Sequence, residues 1–203
     1  MRAVLFDMDG VLVFSEDVWF SVYNATLAHF GHAAISREDF DAIYGNGTEA
    51  DRAMYMPERT VGEVDAAYAR FFADRLDEIR VNPEAARALR ALRAAGVRTA
   101  LATNTNRPLA DRILSFAGLA PLLDAVASAD EAGAGKPDPA VVRLASARVQ
   151  VPLAECLFVG DSKYDGEAAQ RAPVEFRGYR FGVGQRIESL GELLAIRINS
   201  GER

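Results

Sequence analysis

Short apolar runs that stop at polar residues recur along the chain, and they predict buried strands. The first run covers 3–6 and ends abruptly at Asp7, and similar runs follow at 97–102, 125–127 and 157–159. Runs that are this short and this apolar are typical of parallel strands, because both faces of a parallel sheet are covered by helices. The pattern therefore predicts four strands of one parallel sheet.

Helix-like segments lie between these runs. The clearest begins with Asn82 as N-cap and Pro83 in the first helical position, and it ends at Gly96. Further helices are predicted after Pro139 and over 166–172. Because strand and helix alternate, we predict an α/β fold with a doubly wound sheet.

The span 14–81 interrupts this alternation. It has no strand-like run but several helix starts, among them a capping box formed by Thr60 and Glu63. It carries 13 acidic residues and 6 arginines, a net charge of −7, whereas the rest of the chain has 16 acidic and 17 basic residues. We interpret this span as an all-helical insertion after the first strand, and 1–13 with 82–203 as the α/β core.

The composition narrows the possible classes of function. The chain has 203 residues, of which 50% are hydrophobic, and this is enough for one core of ordinary size. Its net charge of −6 argues against nucleic acid as a partner, because binding to phosphates needs an excess of basic side chains. No apolar run approaches the length of a membrane span. The single cysteine, Cys156, cannot form an internal disulfide, which fits the cytoplasm.

Polar side chains that can bind a cation or a phosphate follow each predicted strand: Asp7 and Asp9, then Thr103 and Asn104, then Lys136, and finally Asp161 and Asp165. Each group alone could be an ordinary turn or helix cap. In open α/β sheets, however, ligands bind beyond the carboxyl ends of the strands, where these groups would converge. The combination fits a hard divalent cation with oxygen ligands, together with a phosphate.

These groups occur in the order and spacing of four known motifs, and the chain resembles the haloacid dehalogenase superfamily. More narrowly, it resembles the branch of phosphoglycolate phosphatases and β-phosphoglucomutases, which carry a helical cap after the first motif. The motifs are Asp7-x-Asp9-Gly10-Val11, Thr103-Asn104, Lys136-Pro137 and Gly160-Asp161-Ser162-x-x-Asp165. The resemblance implies a Rossmann-like core and a cytoplasmic, Mg²⁺-dependent phosphatase for a small phosphorylated metabolite. We expect a monomer or weak dimer.

The resemblance also implies roles for the acidic residues. Asp7 would attack the phosphorus and form an aspartyl-phosphate. Asp9 would protonate the leaving oxygen and then deprotonate the attacking water. Mg²⁺ would bind the Asp7 carboxylate, the backbone carbonyl of Asp9 and the Asp161 carboxylate. Asp165 would orient these ligands without binding the metal itself.

The phosphate-binding residues follow from the same resemblance. Thr103, the backbone of Asn104 and Lys136 would stabilise the charge on the transferring phosphoryl oxygens. Gly45 opens a loop of the cap that would face the substrate and support the site. Many relatives have an arginine three or four residues after this glycine, but this chain has Thr48-Glu49 there. Together with the acidic cap, this favours a neutral or amine-bearing phosphate ester over phosphoglycolate.

Other chemistries of the superfamily fit less well. Haloacid dehalogenases lack the second carboxylate, which is present here as Asp9, and the Schiff-base lysine of phosphonoacetaldehyde hydrolases has no counterpart in 14–81. β-Phosphoglucomutases have a histidine where this chain has Trp19, and a glutamate where it has Gly160. A phosphatase is therefore favoured over the two alternatives, which are a phosphomutase and a non-enzymatic binding or regulatory domain.

Overall fold

A computed structural model describes residues 1–182 and 185–196. Eight strands lie in this part of the chain: β1 (Ala3–Phe6), β2 (Val13–Phe14), β3 (Arg80–Val81), β4 (Arg98–Thr103), β5 (Ala125–Ser128), β6 (Cys156–Gly160), β7 (Glu175–Tyr179) and β8 (Arg186–Ile187). Six of them form one sheet in the order β5-β4-β1-β6-β7-β8, and all of its neighbouring strands are parallel.

The described residues also form nine α-helices: α1 (Glu16–His29), α2 (Arg37–Ile43), α3 (Thr48–Tyr55), α4 (Val61–Ala73), α5 (Ala85–Ala94), α6 (Arg107–Phe116), α7 (Ala129–Ala132), α8 (Ala140–Arg148) and α9 (Lys163–Arg171). Short 3₁₀ helices occur at Leu76–Glu78, Ala120–Leu122, Leu153–Glu155 and Leu190–Ala195. None of the helices described is long and apolar enough to cross a bilayer.

The central strand β1 shows why the sheet needs helices on both faces. Its four residues are fully buried, and successive side chains point to opposite faces. Val4 and Phe6 belong to an apolar cluster that includes residues of α5 and α6, whereas Ala3 and Leu5 belong to a second cluster with residues of α8 and α9. The predicted doubly wound α/β fold is therefore confirmed.

The predicted runs 97–102, 125–127 and 157–159 correspond to β4, β5 and β6, with ends that differ by at most one residue. Helix α9 begins three residues earlier than predicted, because Ser162 and Asp165 form a capping box at its start. Asn82 is not the N-cap of α5, since that helix begins at Ala85.

Four helices, α1 to α4, occupy the span that interrupts the α/β alternation. The strands on either side of them, β2 and β3, pair antiparallel, with Val13 opposite Val81 and Phe14 opposite Arg80. The prediction that 14–81 contains no strand is thus wrong at its two ends. The predicted capping box of Thr60 and Glu63 is present at the start of α4. The division of the chain into two domains stays a prediction, and 183–184 and 197–203 of the predicted core lie outside the described residues.

Asn82 joins the end of this insertion to the core. Its side-chain amide donates to the backbone carbonyl of Val11 (2.7 Å) and to the Tyr179 hydroxyl (3.0 Å), and its oxygen accepts from the Glu84 N–H (3.0 Å). The residue is only 2% exposed. Through these three bonds, Asn82 connects the turn between β1 and the insertion, the start of α5 and strand β7.

We expect Asn82→Ala to lower the free energy of unfolding by about 3 kcal/mol, because it leaves buried polar partners without hydrogen bonds. Asn106→Ala is the matched control. It removes one cap bond, from the Leu109 N–H to the Asn106 side chain, and should cost about 1 kcal/mol. Urea unfolding followed by circular dichroism measures both values, and equal losses in the two variants would contradict this assignment.

Candidate active site

Three acidic side chains meet beyond the carboxyl ends of β1 and β6. Asp7 directly follows β1, Asp161 directly follows β6, and Asp165 lies in the first turn of α9. One carboxylate oxygen from each lies within 4.8 Å of the others. The turn after β1 needs glycine, because a Cβ on Gly10 would lie 1.7 Å from Oδ2 of Asp161.

A buried ammonium group lies between two of these carboxylates. Nζ of Lys136 is 2.6 Å from Oδ1 of Asp7 and 2.7 Å from Oδ1 of Asp165. The side chains of Lys136 and Asp165 are 3% and 0% exposed. Because a buried charge without a partner is costly, the lysine and its two carboxylates must fold into contact together.

The cluster holds more negative than positive charge. Burial, together with the neighbouring charges of Asp165 and Asp9, raises the pKa of Asp7 to about 7, although Lys136 acts in the opposite direction. Burial and the charges of Asp7 and Asp165 also hold the pKa of Asp161 well above its usual range. Burial alone would lower the pKa of Lys136, but the carboxylates of Asp165 and Asp7 raise it. A cation with a preference for oxygen ligands would relieve this excess of negative charge.

Asp9 has a different environment, and its carboxylate is not part of this cluster. Its Oδ1 accepts from the Ser15 hydroxyl and from Nε1 of Trp19 (3.0 Å), and its Oδ2 accepts from the Thr105 hydroxyl (3.1 Å). Burial raises the pKa of Asp9, whereas these three hydrogen bonds oppose the rise. Two of the donors come from the insertion and one from the core, so Asp9 is held from both sides.

These donors to Asp9 were not among the predicted site residues. Trp19 packs against Tyr68 and Phe72, with ring centroids 5.5 and 4.9 Å away. The signal for its bond to Asp9 is the polar Nε1 of the indole, which needs a hydrogen-bond partner when it is buried. Ser15 directly precedes α1 as its N-cap residue.

Asn104 uses its side chain to join the core to the insertion. Its Nδ2 donates to the backbone carbonyls of Gly45 (2.9 Å) and Lys136 (2.9 Å), and its Oδ1 accepts from the Lys136 N–H (2.6 Å). A Cβ on Gly47, whose φ is +92°, would lie 3.2 Å from this Nδ2. The loop around Gly45 can therefore approach Asn104 closely.

Thr103 is the last residue of β4 and is 1% exposed. Its hydroxyl oxygen accepts from the Thr105 N–H (3.1 Å), which leaves the hydroxyl proton for another acceptor. One cavity is lined by seven of the eight predicted site residues: Asp7, Asp9, Gly45, Thr103, Asn104, Lys136 and Asp161. The eighth, Asp165, is fully buried and contacts the cluster through Lys136.

Comparison with known proteins identifies the family. The model for haloacid dehalogenase-like hydrolases matches residues 1–173. The chain therefore belongs to the haloacid dehalogenase-like hydrolases, as its four motifs predicted.

Individual relatives narrow the class of enzyme. A phosphoglycolate phosphatase of Cereibacter sphaeroides is 34% identical over 194 residues, which cover 89% of this chain and 87% of the relative. A plasmid-encoded phosphoglycolate phosphatase of Cupriavidus necator is 32% identical over 189 residues, with 89% and 81% covered. These relatives confirm the predicted class, a phosphoric monoester hydrolase.

A solved structure shows the same fold. CbbY from Rhodobacter sphaeroides, in complex with phosphate, superimposes with a TM-score of 0.82 at 24% identity, over 95% of this chain and 96% of that one. The likeness confirms the Rossmann-like core.

The chain has two lysines, and they offer a matched test of the buried cluster. We expect Lys136→Met to lower the free energy of unfolding by about 3 kcal/mol, because Asp7 and Asp165 lose their buried cation. Lys163→Met, at an exposed position, should change it by less than about 0.5 kcal/mol.

The loss in Lys136→Met should be larger at pH 8 than at pH 5. Without the ammonium, the pKa of Asp7 in the folded protein rises further above its value in the unfolded chain. A carboxyl with a raised pKa loses folded-state stability as the pH rises from the unfolded toward the folded pKa. Denaturant unfolding at both pH values measures this, and a loss that is smaller at pH 8 would contradict it.

Proposed function

We propose that the protein is a Mg²⁺-dependent phosphatase that hydrolyses a small phosphate monoester through an aspartyl-phosphate on Asp7. The observation that carries this proposal is the contact of Lys136 with Asp7, beside Asp161 and at the bottom of the cavity. A phosphoryl group placed there meets a carboxylate nucleophile, an ammonium and the Thr103 hydroxyl together. The proposed partner is a small metabolite, because the residues with the proposed roles line one cavity.

In the first step, an oxygen of Asp7 forms a bond to phosphorus while the bond between phosphorus and the ester oxygen breaks. Asp9 gives its proton to the leaving oxygen, which departs as an alcohol. In the second step, water attacks the phosphorus of the aspartyl-phosphate, Asp9 takes a proton from that water, and phosphate and free Asp7 are released. The two half-reactions therefore return both acids to their starting states.

The different environments of the two acids suit these roles. Asp7 must be ionised to attack, and the ammonium of Lys136 favours its charged form. Asp9 must begin protonated, and burial raises its pKa. Ser15 and Thr105 fix the orientation of Asp9.

The carboxylates of Asp7 and Asp161 and the backbone carbonyl of Asp9 would hold the metal ion. When bound, Mg²⁺ would neutralise charge on the phosphoryl oxygens and on the acidic cluster. Asp165 is better suited to a supporting role, since Oδ1 contacts Lys136 and Oδ2 accepts from the backbone and hydroxyl of Ser162. The donor set consists of oxygens only, which fits Mg²⁺.

The alternatives are less well supported. A phosphomutase has to hold its intermediate for a second phosphoryl transfer, and here the indole of Trp19 occupies the position of the mutase histidine and bonds to Asp9. A binding domain has no need for a nucleophile paired with a buried ammonium, yet Asp7 and Lys136 retain this contact.

Hydrolysis of p-nitrophenyl phosphate tests the proposed function. We expect activity that needs Mg²⁺, is abolished by EDTA and falls about 10³-fold or more in Asp7→Asn, because the amide cannot act as the nucleophile. Asp111→Asn, at an exposed position on α6, is the control and should keep wild-type activity. Activity that remains in Asp7→Asn, or that EDTA does not reduce, would argue against the mechanism.

Trp19→Phe tests the role of Asp9 as a general acid. The substitution keeps an aromatic ring against Tyr68 and Phe72 but removes the hydrogen bond that lowers the pKa of Asp9. The pKa of Asp9 should then rise, so the alkaline limb of the pH profile for an alkyl phosphate should move to higher pH.

Phe72→Leu is the control for this shift, because it disturbs the same ring packing without removing a bond to Asp9. It should leave the alkaline limb in place. A limb that stays fixed or moves to lower pH in Trp19→Phe would exclude Asp9 as the acid.

A further inference from the structure

The cavity above Asp7 and Lys136 continues into the insertion, where its wall carries polar groups that the proposed chemistry does not use. Tyr23 of α1, Asp51 of α3 and Tyr68 of α4 all line this part of the cavity. The alcohol portion of a substrate whose phosphoryl group lies at Asp7 can extend into this part of the cavity. The three side chains are therefore positioned to contact the leaving group.

Asp51 is an acid inside an apolar wall. It is 9% exposed, and its Oδ2 accepts from the Tyr68 hydroxyl (3.1 Å). Burial raises the pKa of Asp51 to about 7, and the hydrogen bond from Tyr68 only partly opposes this. A carboxyl group in such a position gains from a ligand that donates a hydrogen bond to it.

Tyr23 supplies a second, independent observation. Its hydroxyl is buried and has no hydrogen-bond partner within the described part of the chain, although the residue lines the same cavity. Buried polar groups in folded proteins are nearly always hydrogen-bonded, so this hydroxyl is suited to a polar group of a ligand. The rings of Tyr23 and Tyr68 lie 6.0 Å apart, and the Tyr68 hydroxyl donates to Asp51.

The cavity offers no cation to a carboxylate on the leaving group. Among the described residues that line it, Lys136 alone is positively charged, and it is engaged by Asp7 and Asp165. Arg52 follows Asp51 in α3, but its guanidinium pairs with Glu49 and donates to the backbone instead. A carboxylate in this part of the cavity would therefore face Asp51 without a counter-charge.

We propose that Asp51, Tyr68 and Tyr23 form the leaving-group subsite, and that this subsite selects phosphate esters whose alcohol carries a hydroxyl or ammonium group and disfavours esters that carry a carboxylate. This inference rests on the proposed phosphatase function and deepens it. The proposed preference excludes phosphoglycolate, the substrate for which the relatives are named, because phosphoglycolate is a phosphate ester that carries a carboxylate.

Four esters of similar size test the subsite in wild-type protein: 2-hydroxyethyl phosphate, 2-aminoethyl phosphate, n-propyl phosphate and phosphoglycolate. We expect kcat/KM for the hydroxyl or the ammonium ester to exceed that for the propyl ester and for phosphoglycolate by about tenfold or more, the usual effect of a hydrogen bond to a charged group. The better of the first two identifies the donor that the subsite prefers. Phosphoglycolate as the best substrate would overturn the proposal.

Asp51→Asn should reduce this preference about tenfold, mainly by weakening turnover of the donor-bearing esters. Glu38→Gln is the control, because it makes an acid-to-amide change at an exposed position of the insertion and leaves the pairing of Arg52 with Glu49 intact. It should leave the ranking of the four esters unchanged. An unchanged ranking in Asp51→Asn would overturn the proposal.

Tyr23→Phe separates binding from folding, in case Asp51→Asn does not fold. The substitution removes only a hydroxyl that has no described protein partner. The variant should therefore be at least as stable as wild type but lose its preference for 2-hydroxyethyl phosphate over the propyl ester. A loss of stability with an unchanged preference would show a purely structural role and overturn the assignment of Tyr23.

The failure of the proposed function can be distinguished from the failure of this inference. If p-nitrophenyl phosphate and all four esters are inert, the phosphatase proposal fails. Binding of the same four esters, measured by calorimetry, then tests the proposed subsite on its own. Tighter binding of phosphoglycolate than of the hydroxyl and ammonium esters would overturn the subsite proposal.

Discussion

The contact of Lys136 with Asp7 and Asp165 is the constraint on which the site depends. A buried ammonium is stable only if its carboxylate partners are in place, and here they come from the end of β1 and the start of α9. Asn104, beyond β4, fixes the backbone of Lys136 on both sides of the residue. The contacts of Lys136 therefore require the correct register of three neighbouring strands, β1, β4 and β6. A shift in any of them would leave a buried charge without its partner.

The same group explains why the insertion and the core meet where they do. Asn104 bonds to Lys136 and also to the carbonyl of Gly45 in the insertion. Asp9 joins the two parts a second time, through Trp19 on one side and Thr105 on the other. The residues of the proposed phosphoryl site therefore also contact the insertion, and the orientation of Asp9 depends on both parts of the chain.

The sequence predicted the parts of the fold and site that depend on local pattern. Strands β1, β4, β5 and β6 are buried on both faces, so their apolar runs were visible, and the polar residues that follow them were predicted to converge. Strand β7 was missed because Glu175, Arg177 and Gly178 interrupt it, and Arg177 pairs with Glu175 on its own strand. The contact of Thr105 with Asp9 joins segments 96 residues apart, and no local sequence pattern predicts it.

The net charge of the insertion is a weaker argument for the predicted substrate preference than the position of its acidic residues. A net charge of −7 suggested a preference for neutral or amine-bearing esters, but most of those acids cannot reach a substrate. Asp41 pairs with Arg37 and Glu49 pairs with Arg52 at the surface, where solvent screens them. Asp51 is different because it is buried in the cavity wall without a cation. The proposed selectivity therefore depends on the position of one carboxyl group, because Asp51 is the acid of the insertion that lines the described cavity.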